Sequence, residues 1–346
     1  MQYERSISAI YYLLQGKQSI QTIQDAQLFG LTNYFGVYKN LSKNRFFNIV
    51  EKLVKQKVLE PQKISNFYYI TNKGENLLHT KKYALLRYLS GFQFRQFDHA
   101  FYSRLLLLIQ VLTNSKKKNY TYIPIIENID IEIWVKAYYK TAKHNIDKYL
   151  HGIHAEMTTI LATLPPSYPS ILLDQITSYK TVALTASQIA KKENMSEDDI
   201  YLITTSIIHL MLTTIMKQKE TYPFLYSIGG DLFPQDILTQ SAEKTNHLLN
   251  QRFTLQEIAH IRKLKINTIY DHVVEIALHN NNFSLSSYVS EADQKEIIQA
   301  IKRINSYKLK EIKEAVNENI SYFQIRLVLT QINNLKSGSV FDESKS

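Results

Sequence analysis

The chain of 346 residues contains no cysteine. Disulfide frameworks and thiolate metal sites are therefore excluded. Glycine and proline are scarce, nine and seven in all. So few breakers argue against a turn-rich all-β fold and for long helical segments. No Walker A sequence, GxGxxG or GxSxG occurs, and the one Gly-Gly pair, in SIGGDLFP, lacks the strand-to-helix context of a phosphate loop. The N-terminal MQYERSISAIYYLLQG has neither the apolar core nor the small-residue cleavage site of a secretory signal. The run FYSRLLLLIQVL is too short to cross a bilayer, which takes about 20 apolar residues. These absences point to a cytoplasmic chain without a membrane partner, a catalytic motif or a cofactor.

What is present is positive charge, unevenly placed. The net charge is +10. Residues 1–90 hold 13 Lys and Arg against 5 Asp and Glu. Residues 91–248 are balanced at 15 and 15, and residues 249–333 carry 11 and 9. A basic end on a neutral body suits a polyanion such as nucleic acid.

Helical spacing of Ile7, Ile10, Tyr11 and Leu14 predicts a first helix stopped by Gly16. Ser19 caps a second, ending near Gly30. A third begins at Ser42, with Phe46, Phe47, Val50, Leu53 and Val54 as its apolar stripe. Lys43, Asn44, Arg45, Asn48, Lys52 and Lys55 are its polar positions. Val58 and Leu59 open a strand, Pro61 to Asn66 turns, and Phe67 to Thr71 returns. Asn72-Lys73-Gly74 then leads into another helix. This order resembles a winged helix-turn-helix over residues 4–88, with one departure: Leu31–Leu41 is longer than the usual turn. The resemblance implies DNA contact through Lys43, Asn44, Arg45, Asn48 and Lys52, the cations on phosphates and the amides on bases or backbone.

The middle of the chain reads as helices, with FQFRQFDHAFYSRLLLLIQVL as one and residues 131–164 as another, closed by Pro165-Pro166. Trp134, Tyr138 and Tyr139 read as packing residues. LTASQIAKKENMSEDDIYLITTSIIHLML mimics a helix-turn-helix, but Glu197, Asp198 and Asp199 at the start of its second helix repel phosphate, so this copy is expected to be structural or partner-facing. His151, His154 and Glu156 lack HExxH spacing, and no metal site is expected.

In FTLQEIAHIRKLKINTIYDHVVEIALHN, Thr254 and Glu257 have capping-box spacing. Ile258, Ala259 and Ile261 supply buried contacts, Leu264 closes the turn, and Asn267 is the expected cap of the second helix. Ile269, Val273 and Ile276 hold that helix against the first. Lys265, Asn267, Thr268 and Tyr270 occupy the end of a recognition helix that meets base edges. The sequel carries LKEIKEAV and ISYFQIRLVL. Together with FTLQEIA and TIYDHV these motifs resemble the helix-turn-helix domain found at the C-termini of some RecQ-type helicases and at the end of YpbB-family proteins. SISAIYYLLQGKQSIQTIQDA is similar to the start of that family, so the resemblance covers both ends of the chain. It implies a non-catalytic, DNA-binding partner of a RecQ-like helicase in replication or repair. The alternative is a sequence-specific transcriptional regulator. Asp271 and Glu275 weigh against DNA at the C-terminal module, which meets either DNA or the helicase.

The expected fold is mainly α, in four segments. Residues 1–90 form a winged-helix-like domain with a small β-hairpin, and 91–248 a helical middle domain. Residues 249–333 form a helix-turn-helix bundle, and 334–346 a flexible tail.

Overall fold

A computed structural model describes residues 4–63, 66–80, 85–233, 238–280 and 282–337, without the side chains of residues 80 and 333–337. The fold is mainly α with a two-stranded antiparallel hairpin, as expected. Contacts divide the chain into two compact units, neither continuous in sequence. Unit 1 comprises Met1–Thr32, Leu41–Leu78 and Gln235–Ser346; unit 2 comprises Asn33–Asn40 and His79–Pro234.

Unit 1 begins with α1 (Ile7–Gln15), α2 (Ile20–Leu28) and α3 (Lys43–Lys55). Gly16 ends α1 in the left-handed region at φ 74°, where glycine carries no Cβ penalty. The hairpin follows as β1 (Leu59–Pro61) and β2 (Tyr68–Ile70), in the register Leu59↔Ile70, Glu60↔Tyr69 and Pro61↔Tyr68. Of the expected turn, residues 64 and 65 lie outside the described residues. Helix α4 spans Asn72–Thr80.

The helices of unit 2 are α5 (Gly91–Phe94), α6 (Asp98–Lys116), α7 (Ile129–Ala142), α8 (Ile146–Leu161), α9 (Ser167–Leu173), α10 (Ala186–Glu193), α11 (Glu197–Lys217) and α12 (Pro223–Gly229). The two long helices expected here are each broken. Residues 92–112 divide between α5 and α6. Residues 131–164 divide at a 3-10 turn over Lys143–Asn145, where Asn145 accepts the Lys148 N–H at 3.1 Å and starts α8 afresh. Helix α8 passes straight through Gly152, whose missing Cβ leaves room for the Phe224 ring.

Unlike FYSRLLLLIQVL, α11 is long and apolar enough to cross a membrane by length and composition. Ile207, Met211, Leu212 and Ile215 on it are buried in the core of unit 2, with Phe94, Phe101 and Leu108. His209, also on α11, has no exposed surface. Its Nδ1 accepts the Ser90 N–H at 3.0 Å, and its Nε2 lies 3.3 Å from Asp98 Oδ2. Lys39 closes the cluster at 2.8 Å from Asp98 Oδ1. Burial raises the Asp98 pKa, but His209 and Lys39 outweigh it and hold the carboxyl below its ordinary range.

Unit 1 resumes with α13 (Gln240–Asn250), α14 (Leu255–Arg262), α15 (Ile266–His279), α16 (Glu291–Ile304), α17 (Leu309–Ala315) and α18 (Tyr322–Ser337). Residues 338–346 of the expected tail lie outside the described residues; residues 334–337 continue α18. The two ends of the chain build this unit together. Gln24 Nε2 donates to the Arg326 carbonyl at 2.9 Å, and Gln27 Nε2 to that of Leu278 at 3.1 Å. Arg5 pairs with the buried Asp25 at 2.9 Å, and Glu4 accepts the Tyr307 N–H at 3.1 Å.

Candidate nucleic-acid interface

Helix α3 starts because the Ser42 hydroxyl accepts the Arg45 N–H at 3.2 Å. Phe46 and Val50 are buried, and the Phe46 ring lies 5.5 Å from that of Tyr11. The remaining apolar positions, Phe47, Leu53 and Val54, are half-buried beside them. Lys43, Asn44, Arg45, Asn48, Lys52 and Lys55 are all exposed. At 100° per residue, Asn44, Arg45, Asn48, Lys52 and Lys55 fall on one face, and Lys43 stands at the first turn. The side chains of Lys43, Asn44, Asn48 and Lys52 make no hydrogen bond or ion pair among the described residues. The helix thus presents four exposed cations and two exposed amides.

The helix leads into the hairpin through Lys57 at φ 57°. Thr71 Oγ1 donates to the Lys57 carbonyl at 2.7 Å and accepts the Gly74 N–H at 3.2 Å. Gly74 is required here: a Cβ would sit 2.5 Å from the Val58 carbonyl oxygen. Lys73 Nζ donates to the Gln56 carbonyl at 2.9 Å, closing the C-terminus of α3. Three helices, a hairpin packed on the third, and a fourth helix follow in chain order.

The C-terminal helix-turn-helix is α14 and α15. Thr254 and Glu257 form the expected capping box, with the Thr254 N–H on Glu257 Oε2 at 2.7 Å. That backbone N–H, then the Thr254 hydroxyl, hold the Glu257 carboxyl below its ordinary value. Thr254→Ala is expected to cost about 1 kcal/mol of unit 1 stability. Urea denaturation checks this, and an unchanged midpoint would count against the cap.

Lys263, at φ 53°, turns the chain into α15. The cap of α15 is Lys265, with no side-chain bond, rather than the expected Asn267, which stands one residue inside the helix. Ile261, expected to be buried, is 49% exposed, whereas Ile258 is fully buried. Lys265 and Asn267 are exposed and Thr268 is half-buried. Tyr270 is not presented outward as a reader: its ring stacks on Phe323 of α18 at 4.2 Å and 16°. Asp271 pairs with Arg326 at 2.8 Å.

Four residues of this module escape a reading of spacing alone. Glu275 is buried and caps α13, accepting the Thr239 N–H at 2.7 Å. It therefore does not repel phosphate at the surface. Arg262 donates to the Ser241 carbonyl at 2.7 Å, and its Nη1 also reaches Thr245 and, at 3.2 Å, His272 Nδ1. Thr245 itself is fully buried, 2.9 Å from His272 Nδ1. The signal in the sequence is two polar residues, His272 and Glu275, three apart in the otherwise apolar run HVVEIAL.

Burial first, then Arg262, hold the His272 imidazole below its ordinary value, against a weaker opposing pull from Asp271. A folded-state pKa below the unfolded one means that the unfolded chain binds more protons. The stability from neutral His272 is therefore present above about pH 6.5 and lost as pH falls below it. Denaturation midpoints measured between pH 7.5 and 5 should fall, with a shallower decline in His272→Gln; parallel profiles would refute the linkage.

His151 and His154 line an apolar cavity of about 760 Å3 in unit 2. The Glu156 carboxylate instead accepts the N–H groups of Phe224 (3.0 Å) and Leu225 (2.8 Å). Among the described residues no three His, Asp or Glu side chains gather as a metal site. In the second helix-turn-helix-like pair, α10 and α11, the acidic residues are engaged internally: Asp199 completes a capping box with Ser196, and Asp198 accepts the Tyr38 hydroxyl.

A capped short helix, a left-handed turn and a second helix buried along one side define a helix-turn-helix protein. A family model described as a helix-turn-helix domain matches residues 241–329, which take in all but the first residue of α13 and the network around Arg262. Protein YpbB of Bacillus subtilis (strain 168) is 32% identical over 335 residues, covering 95% of this chain and 93% of its own length. The chain belongs to the YpbB family. No solved structure matches it.

Proposed function

We propose that the protein is a non-catalytic accessory factor that binds DNA through α3 and the neighbouring hairpin and works with a RecQ-like helicase in replication or repair. The carrying observation is the exposed surface of α3, where Arg45 and Lys52 share a face with Asn44 and Asn48 and Lys43 stands at the first turn. Cations at this density suit sequence-independent phosphate contact, and the two amides add hydrogen bonds to bases or backbone. Lys265 and Asn267 at the start of α15 form a smaller second contact, with Thr268 half-buried behind them and Tyr270 withdrawn against α18.

The helicase reading rests on family membership and on the likeness of FTLQEIA, TIYDHV, LKEIKEAV and ISYFQIRLVL to helicase-associated helix-turn-helix domains. The test combines co-purification with a RecQ-like helicase from the same cell and a forked-duplex unwinding assay. Association and altered unwinding are expected. A failure of both would leave a DNA-binding protein without this partner.

A further inference from the structure

Unit 2 carries an aromatic row that the DNA-binding reading does not use. Helix α7 supplies Trp134 and Tyr138, one turn apart, α8 supplies Tyr149, and α12 supplies Phe224. Neighbouring ring centroids are 5.1, 5.7 and 5.6 Å apart in that order. All four rings are partly exposed, unlike Phe94 and Phe101, which are fully buried in the same unit.

The row is held firmly. The Tyr138 hydroxyl and Ser227 Oγ are 2.7 Å apart. Gly152 yields space to Phe224, and Glu156 fixes the backbone at Phe224. The Arg104 guanidinium lies 4.3 Å from the Trp134 ring and bonds Asp231 Oδ1 at 2.7 Å. Arg104 is 8% exposed, and its Nε has no partner.

Two hollows flank Tyr138 and Ser227, which line both. One, of about 420 Å3, is walled by Trp134, Tyr138 and Tyr226, with Asp231 at its side. The other, of about 520 Å3, is walled by Tyr138, Tyr149 and Phe224, with Thr141 and Lys148. Lys148 is exposed and makes no ion pair among the described residues.

We infer that this cleft binds single-stranded DNA, taking two neighbouring unstacked bases into the two hollows. Aromatic walls hold any base by its π-face, so little sequence preference is expected. Ser227, Thr141 and Asp231 offer hydrogen bonds to base edges, and Lys148 meets the backbone. Bases stacked inside a duplex cannot enter, so the cleft separates single strands from duplex. A purely hydrophobic occupant would leave Lys148 at the rim without a counter-charge. The inference rests on the DNA-binding reading but places this contact on other residues.

Trp134 is the chain's one tryptophan, so its emission reports the cleft directly. Titrating the full chain with a short oligothymidylate should quench that emission saturably, while duplex of equal length should not. Tyr138→Ala should weaken strand binding about tenfold or more, and Tyr138→Phe, which keeps the ring, should bind nearly as wild type. Lys148→Ala, an exposed change that spares the fold, should flatten the salt slope by about 0.7. The quench should survive when Lys43, Arg45 and Lys52 are replaced together. Strand binding seen by anisotropy without quenching would overturn the cleft and leave α3 standing. So would equal affinity in Tyr138→Ala, or duplex quenching as strongly as single strand. Loss of all binding by both readouts in the wild-type chain would remove both readings.

Discussion

Replacing Lys43, Arg45 and Lys52 together with alanine is expected to flatten the slope of log K against log salt by about 2.7. Each phosphate neutralised on duplex DNA releases counterions and contributes about 0.9 to that slope. Three lost contacts remove three such increments, and the affinity loss is largest at low salt. Stability should hardly move, because all three side chains are exposed on α3 and none contributes to its Phe46–Val50 stripe. Asn44→Ala and Asn48→Ala carry no charge change, so they should leave the slope intact while lowering affinity or base preference. Lys265→Ala with Asn267→Ala is the matched control at the other helix start, expected to change the slope by about one at most. If the α3 triple variant keeps the wild-type slope while the control loses it, DNA engages the C-terminal module instead. The measurement is fluorescence anisotropy with labelled duplex across a salt series, and the melting curve of each variant confirms that the fold is intact.

The start of α3 was legible in the sequence because its signals are local. Ser42 caps it, and Phe46 and Val50 recur at helical spacing; the same kind of signal found α2 through Ser19 and α14 through Thr254 and Glu257. What local spacing does not record is which distant segment a polar side chain meets. Glu275 reads as a surface acid in its own helix, and its burial follows from Thr239, 36 residues away. Tyr270 has the position of a base reader, yet Phe323 claims its ring. The break at Lys143–Asn145 is a case of the opposite kind. Its signal, an Asn three residues ahead of Lys148, is local and was outweighed by the continuous apolar pattern on either side.

The long connection Leu31–Leu41, which departs from a winged helix-turn-helix, has a physical cause, and the second large effect follows from it. Thr32 and Leu41 belong to unit 1, but Asn33–Asn40 belongs to unit 2. Phe35 is fully buried there. Its ring meets that of Phe92 edge-on at 5.5 Å and lies under the Arg95 guanidinium at 4.7 Å. A Cβ at Gly91 would come within 2.3 Å of the Phe35 carbonyl oxygen, so only glycine admits the segment so closely. Val37 is also buried, Tyr38 stacks on Tyr201 at 4.5 Å, and Lys39 pairs with Asp98. The insertion is therefore part of the core of unit 2 rather than a loose turn. Phe35→Ala empties a ring-sized space and is expected to cost about 3–5 kcal/mol. For a unit of this size that lowers the melting temperature by roughly 10 °C. Trp134 lies in unit 2, so its emission follows this transition. Lys39→Ala should cost far less, because its side chain is 37% exposed and water screens its half of the ion pair. A Phe35→Ala melt that matches wild type would show that the segment is an ordinary linker, and the resemblance of residues 4–88 to a winged helix would then have to accommodate an eleven-residue turn without a reason.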